Sequence, residues 1–158
     1  MSKITPCLWF DGQAEEAANF YVSLLPNSRI DKIMRSPADY PNGSAGSVLT
    51  VEFTLAGQPF MGLNGGPGLP FTDAVSFTIS CDDQAEVDRL WNVLAAGGGK
   101  EVQCGWLKDR YGLSWQIVPK ALIEMMGDPD RTKAKRVMEA MMQMVKIDIA
   151  GLKKAYAG

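Results

Sequence analysis

Val48-Leu-Thr-Val-Glu-Phe-Thr-Leu55 alternates apolar and polar side chains, the period of a strand with one buried face, and Ala56-Gly57 turns it into a second strand at Gln58 to Leu63. The apolar runs Ile4 to Phe10 and Ala74 to Cys81 predict two further strands. Each leads into an acidic, alanine-bearing segment with helical spacing, Ala14 to Leu25 and Gln84 to Ala96. Asp11 and Asp82 stand just ahead of these helices, where a carboxylate can accept from the free N–H groups of the first turn. Pro26 stops the first helix and Gly97-Gly98-Gly99 the second. The remaining strand candidates are Ser28 to Arg35, Lys100 to Gln103, Gly105 to Leu107 and Gly112 to Val118.

The pattern repeats. Asp11-Gly-Gln-Ala-Glu15 returns as Asp82-Asp-Gln-Ala-Glu86, and the same offset pairs Thr5 with Ser76, Phe20 with Trp91 and Val22 with Val93. The chain therefore divides into a βαβββ module over residues 1–66, a second over 67–127, and a helical appendix over 128–158. The implied fold is α+β: paired βαβββ modules forming one curved, mostly antiparallel sheet with the helices on its outer face. Ser36 to Ser47, with two prolines and two glycines, is a loop long enough to serve as a lid. In the appendix, Asp128-Pro129 opens a helix over Arg131 to Val145 with Ala134, Val137, Met138, Met141 and Val145 on one face. A short helix follows from Ile149 to Tyr156. Methionines at this spacing read as packing rather than as a binding surface.

Charge sharpens the division. From Arg131 onward seven basic residues face two acidic ones, a balance of +5, whereas the preceding body carries −7. No aromatic residues interleave with these lysines as they would in a nucleic-acid surface. The expectation is a basic appendix docked on the acidic body or on a partner subunit, with no nucleic-acid partner. No apolar run approaches the ~20 residues of a membrane span, and MSKITPCLWFDG lacks signal-peptide features, so a cytoplasmic protein without membrane contact is expected.

The 158 residues contain no histidine, which excludes Ser-His-Asp, Cys-His and histidine-metal chemistry outright. Cys7, Cys81 and Cys104 lack metal or redox spacing and read as reduced thiols. Gly62-Leu-Asn-Gly-Gly-Pro-Gly68 follows a strand but leads to another strand, and Ala95 to Gly99 closes a helix. Neither supplies the helix N-terminus of a dinucleotide, ATP or S-adenosylmethionine site.

The runs TPCLWFDGQAEEAANFYVSLLPNSRI, LNGGP and CGWLKDRYGLSWQIVP, with the helical tail that opens at Asp128-Pro129, resemble the PhnB-like branch of the vicinal oxygen chelate superfamily. That superfamily includes glyoxalases and bleomycin-resistance proteins, and members of the branch are often labelled 3-demethylubiquinone-9 3-methyltransferase domain proteins. The resemblance implies a U-shaped cavity, commonly completed by a homodimer, and a divalent metal held by one residue from the first and last strand of each module. Carried over, those positions fall near Thr5, Asn64, Ser76 and Gln116. None is histidine or carboxylate, and hydroxyls and amides are poor ligands for Zn²⁺, Ni²⁺ or Fe²⁺. Gly68 also stands where relatives often carry a histidine after GGP.

If Leu8, Phe10, Phe77 and Ile79 face the helices, then Thr5, Cys7, Trp9, Ser76 and Thr78 face the cavity. On the last strand Ser114 and Gln116 point inward while Trp115 packs beneath. Asp109-Arg110-Tyr111-Gly112 reads as a turn with solvated charges, leaving Trp106 at the cavity edge. Three functions follow. The favoured one binds a small organic molecule without a metal or other cofactor, through Thr5, Trp9, Glu52, Asn64, Ser76, Trp106 and Gln116. The second is an enzyme in which Glu52 is the base or helps hold a divalent metal, and the third is the methyltransferase of the family label.

Overall fold

The first strand pairs of each half are parallel and the rest antiparallel, which gives two four-stranded sheets of identical plan in place of one continuous sheet. The computed structural model describes residues 2–158, and the chain divides between Leu69 and Pro70 into two compact units. The α+β class and the two βαβββ modules stand.

The first unit runs β1 (Cys7–Phe10), α1 (Ala14–Val22), β2 (Arg29–Arg35), β3 (Val48–Leu55) and β4 (Gln58–Asn64), with sheet order β1-β4-β3-β2. Alternation decides what is buried. Leu8 and Phe10, Val51, Phe53 and Leu55, and Phe60 turn to one face, where Ala14, Ala17, Ala18 and Tyr21 of α1 cover them. Tyr21, Phe53 and Phe60 stack in sequence, and each such buried ring contributes about 1.5–3 kcal/mol. Gly62 lets α1 approach: a Cβ there would stand 3.2 Å from that of Ala14.

The second unit runs β5 (Ser76–Cys81), α2 (Gln84–Ala95), β6 (Lys100–Glu101), β7 (Trp106–Lys108) and β8 (Ser114–Pro119), in sheet order β5-β8-β7-β6. Val87, Leu90, Trp91 and Leu94 of α2 bury Ile79, Cys81, Leu107, Trp115 and Ile117. Burial pushes the Cys81 thiol up to about 12, as befits a packing residue, and no disulfide forms. β6 is shorter than expected because Cys104 and Gly105 take left-handed backbone angles and turn the chain out of the ladder.

Three more helices follow: α3 (Lys120–Met126), α4 (Arg131–Met141) and α5 (Ile149–Ala157). Leu122, Val137, Ile147 and Leu152 close over Val118 of β8, with Met125, Met126, Met141 and Met144 around them. Most of the methionines are thus packing, although Met138 and Met142 stay exposed. The appendix docks on its own body: Lys146 pairs with Asp88 at 2.8 Å, and the Gln84 amide donates to the Ile147 carbonyl. α4 stops short of Val145 because the chain leaves it to give the Met144 and Val145 carbonyls to the N–H groups of Cys104 and Gly105. Its cap is Asp130, not Asp128.

The residue expected to cap the first helix does not. Asp11 makes no cap, and Asn64 reaches from β4 instead, its Oδ1 accepting from the Ala14 N–H at 2.9 Å. α2 is capped by Asp83, one residue beyond Asp82, which pairs with Lys120. The loop 36–47 is tied down as well: Asn42 donates to the Gly65 carbonyl, Asp39 accepts from Ala45, and Arg35 donates to Gly46. No helix among the described residues is long and apolar enough to cross a membrane.

Candidate functional site

The face of the first sheet turned away from α1 carries Cys7 and Trp9, Met61 and Leu63, and Thr50, Glu52 and Thr54. Near its β2 end lies a cleft of about 820 Å³ lined by Thr5, Arg29, Asp31, Glu52, Thr54 and Met61, among others. Asp31 is the extra residue of a bulge between Ile30 and Lys32. There Asp31 accepts from the Thr54 hydroxyl at 2.6 Å and meets Arg29 Nε at 2.7 Å, so both oxygens of the carboxylate are engaged. Glu52 is exposed and makes no ion pair among the described residues.

Of the residues singled out in sequence, Thr5 and Glu52 line this cleft. Thr5 sits ahead of β1, because the strand begins at Cys7 and only the Pro6 carbonyl joins the ladder before it. Trp9 faces the same side but is committed to the loop: its indole N–H donates to Gly66 at 2.8 Å, and its ring lies where a Cβ on Gly65 would stand, 2.3 Å away. Asn64 falls on the opposite face, with Phe10 and Gly62. It is buried, with Oδ1 capping α1 and Nδ2 donating to Val48 at 3.0 Å. Arg29 and Asp31 were missed. The Arg29-x-Asp31 spacing on a strand places both on one face, but nothing local announces the bulge.

In the second unit Gln116 and Trp106 are register partners on the face turned away from α2, and Gln116 Nε2 donates to Ser76 Oγ at 3.0 Å. Ser114 is buried, donating to Asp73. Lys108, with Ser114 assisting, holds the Asp73 carboxyl below the usual range. Asp109 corrects the expectation of a solvated turn: it is 2% exposed and accepts from the N–H groups of Tyr111 and Leu113 and from the Trp115 indole. Trp115 packs beneath the sheet as expected.

Register also corrects the equivalence between halves. Phe10 pairs with Asn64 where Cys81 pairs with Pro119, and Cys7 pairs with Met61 where Thr78 pairs with Gln116. The counterpart of Gln116 is therefore Met61, and that of Trp106 is Glu52.

Residues 2–118 match the family model described as 3-demethylubiquinone-9 3-methyltransferase. The chain belongs to this family. A PhnB protein of Bacillus cereus bearing the same methyltransferase label is 38% identical over 75% of this chain and 99% of its own, with a TM-score of 0.68. Two more distant structures share the fold. Protein PA1353 of Pseudomonas aeruginosa is 22% identical over 75% of this chain and 98% of its own, at a TM-score of 0.59. The fosfomycin resistance protein FosX of Listeria monocytogenes is 13% identical over 78% and 97%, at 0.52. No curated protein matches the sequence. The family match ends at Val118, so the helical appendix lies outside it.

Against the superfamily's divalent metal, the donor set here fits poorly. Asn64 has both ends of its amide engaged away from the cleft face, Ser76 and Gln116 bond each other, and Met61 takes the position equivalent to Gln116. No three of Cys, Asp and Glu come together as ligands among the described residues. As for the methyl donor of the family label, β4 and the glycines after it lead to β5, with no helix opening on them.

Proposed function

We propose that this PhnB-like protein binds a small organic molecule in the cleft of its first sheet, and does so without the superfamily's metal. The observation that carries the reading is the cleft itself: about 820 Å³, a size suited to a drug-sized ligand, with Met61 and Pro59 as apolar lining and a few fixed polar groups. The Thr54–Asp31–Arg29 chain is held by hydrogen bonds before any ligand arrives, which limits the ordering cost of binding. Hydroxyls and amides at the carried positions support the absence of a metal.

The test is a panel of aromatic and glycosidic compounds followed by amide NMR. Binders shift the signals of Arg29, Glu52, Thr54 and Met61 and raise the melting temperature, and Glu52→Trp, an exposed substitution that fills the cleft, abolishes both effects. Shifts confined to other regions overturn the site. Untagged protein incubated with Mn²⁺, Ni²⁺ or Zn²⁺ is expected to retain far less than one equivalent, and one tightly held equivalent overturns the metal-free reading. Stabilisation by S-adenosylmethionine would favour the methyltransferase label instead.

A second reading rests on Glu52, a carboxylate that lines the cleft and makes no ion pair among the described residues, acting as a general base. It requires turnover of a bound compound that Glu52→Gln abolishes while leaving its affinity within a few fold.

A further inference from the structure

Resting on that reading of the cleft, we infer that the ligand class is a cation: a molecule with an apolar body and a single protonated amine, taken up by Glu52. The inference follows from which charges in the cleft are already answered. Arg29 Nε and Asp31 meet at 2.7 Å, and the second Asp31 oxygen accepts from Thr54, so the opposite charges of this pair offset one another. Glu52 is the charged liner left over. Lys32, which faces it across the ladder, makes no ion pair with it among the described residues and does not line the cleft. Met61 is the register partner of Glu52 on the other side, so the carboxylate stands beside apolar surface that an organic body can cover.

The physics favours an amine over a carboxylic acid. A ligand seated against Met61 removes water from one side of Glu52, and a carboxylate without a donor at that point carries a desolvation cost. An ammonium supplies the donor and makes a charge-assisted hydrogen bond. A neutral hydroxyl satisfies the carboxylate more weakly, and an anion adds repulsion. The cleft therefore ranks ligands of one shape as amine, then alcohol, then acid.

The probes are matched arylmethyl compounds that share one ring and end in an amine, an alcohol or a carboxylate, titrated at pH 7 against the full chain and followed by the amide signals of Glu52, Thr54 and Met61. The expected result is that the amine binds about fivefold to tenfold more tightly than the alcohol, the range of one charge-assisted hydrogen bond at a partly open site, and the acid most weakly. Raising salt from about 50 mM to about 500 mM narrows the preference, since a partly solvated pair is screened. Glu52→Gln keeps the shape and removes the charge, so it brings the affinities of amine and alcohol to within about twofold of one another. Binding of all three without preference, or preference for the acid, overturns the cation inference and leaves the cleft reading intact. No shift at these amides by any of the three at millimolar concentration overturns both.

Discussion

The two modules share a strand plan and a register, yet they answer the free N–H groups at the start of their helices by opposite means. α2 is capped from within its own turn, Asp83 accepting from the Glu86 N–H at 2.8 Å. α1 has Gly12 at the repeat position of Asp83, with no side chain and a φ of 81°. Its cap comes from 50 residues away, where Asn64 ends β4. The corresponding residue of the second module is Pro119, which has no donor or acceptor side chain and leads straight into α3. The open faces differ in the same sense: in the second module the end of β8 at Val118 is roofed by the appendix, while in the first a cleft remains. A duplicated backbone thus fixes where polar support is required, and each copy has met the requirement with different residues.

The largest effect is expected from removing the roof that distinguishes the second module. Leu152 is fully buried against Val118, Leu122 and Val137, so Leu152→Ala should cost about 3–4 kcal/mol, within the range for buried leucine truncations, and lower the urea midpoint accordingly. Hydrogen exchange should rise in α3 to α5 and in β8 while the first module keeps its protection. Uniform loss of protection in both modules would mean that the appendix is no local roof.

The caps come next, and they test the comparison directly. Asn64→Ala strands the buried Ala14 N–H and the half-buried Val48 carbonyl, and should cost about 2–3 kcal/mol. Asp83→Ala exposes its N–H group to water and should cost about 1 kcal/mol. Asn64→Asp keeps the acceptor and loses the donor, so it should fall between the two. Equal losses for Asn64→Ala and Asp83→Ala, measured by denaturant unfolding, would remove the distinction between remote and local capping.

Much of this architecture was legible in the letters, for identifiable reasons. Strands with one covered face alternate, as Val48 to Leu55 does, and the repeat of Asp11 to Glu15 at Asp82 to Glu86 announces two modules. What escaped was long-range or depended on strand register. Asn64, aligned with Gln116, is expected on the cleft face, whereas the ladder aligns Met61 there, three residues earlier, and a strand shifted by an odd number of residues exchanges its faces. Arg29 enters the site as the register partner of Thr54 and Asp31 as the extra residue of a bulge that leaves no local signature, and the burial of Asp109 depends on an indole six residues further along the chain. Glu52 and Thr5 were legible because strand parity and the start of a strand are local properties.

The smallest effect concerns the end of the appendix, where the Tyr156 hydroxyl donates to Asp128 and Lys133 lies over the tyrosine ring at 4.9 Å. The hydrogen bond from Tyr156, then that from the Asp130 N–H, holds the Asp128 carboxyl below its usual range. That contribution is present above about pH 4 and is lost as pH falls through the depressed value. The same hydrogen bond raises the Tyr156 phenol, whose contribution is intact below about pH 10 and is lost as pH rises through the raised value. Both groups are solvated, so the effect is a small difference in midpoint. Tyr156→Phe should lower the urea midpoint slightly at pH 7, and the difference from the parent should shrink both at pH 3 and above pH 10. A difference that stays constant across that range would mean that the ring's packing and its contact with Lys133, rather than the hydroxyl, hold the last helix in place.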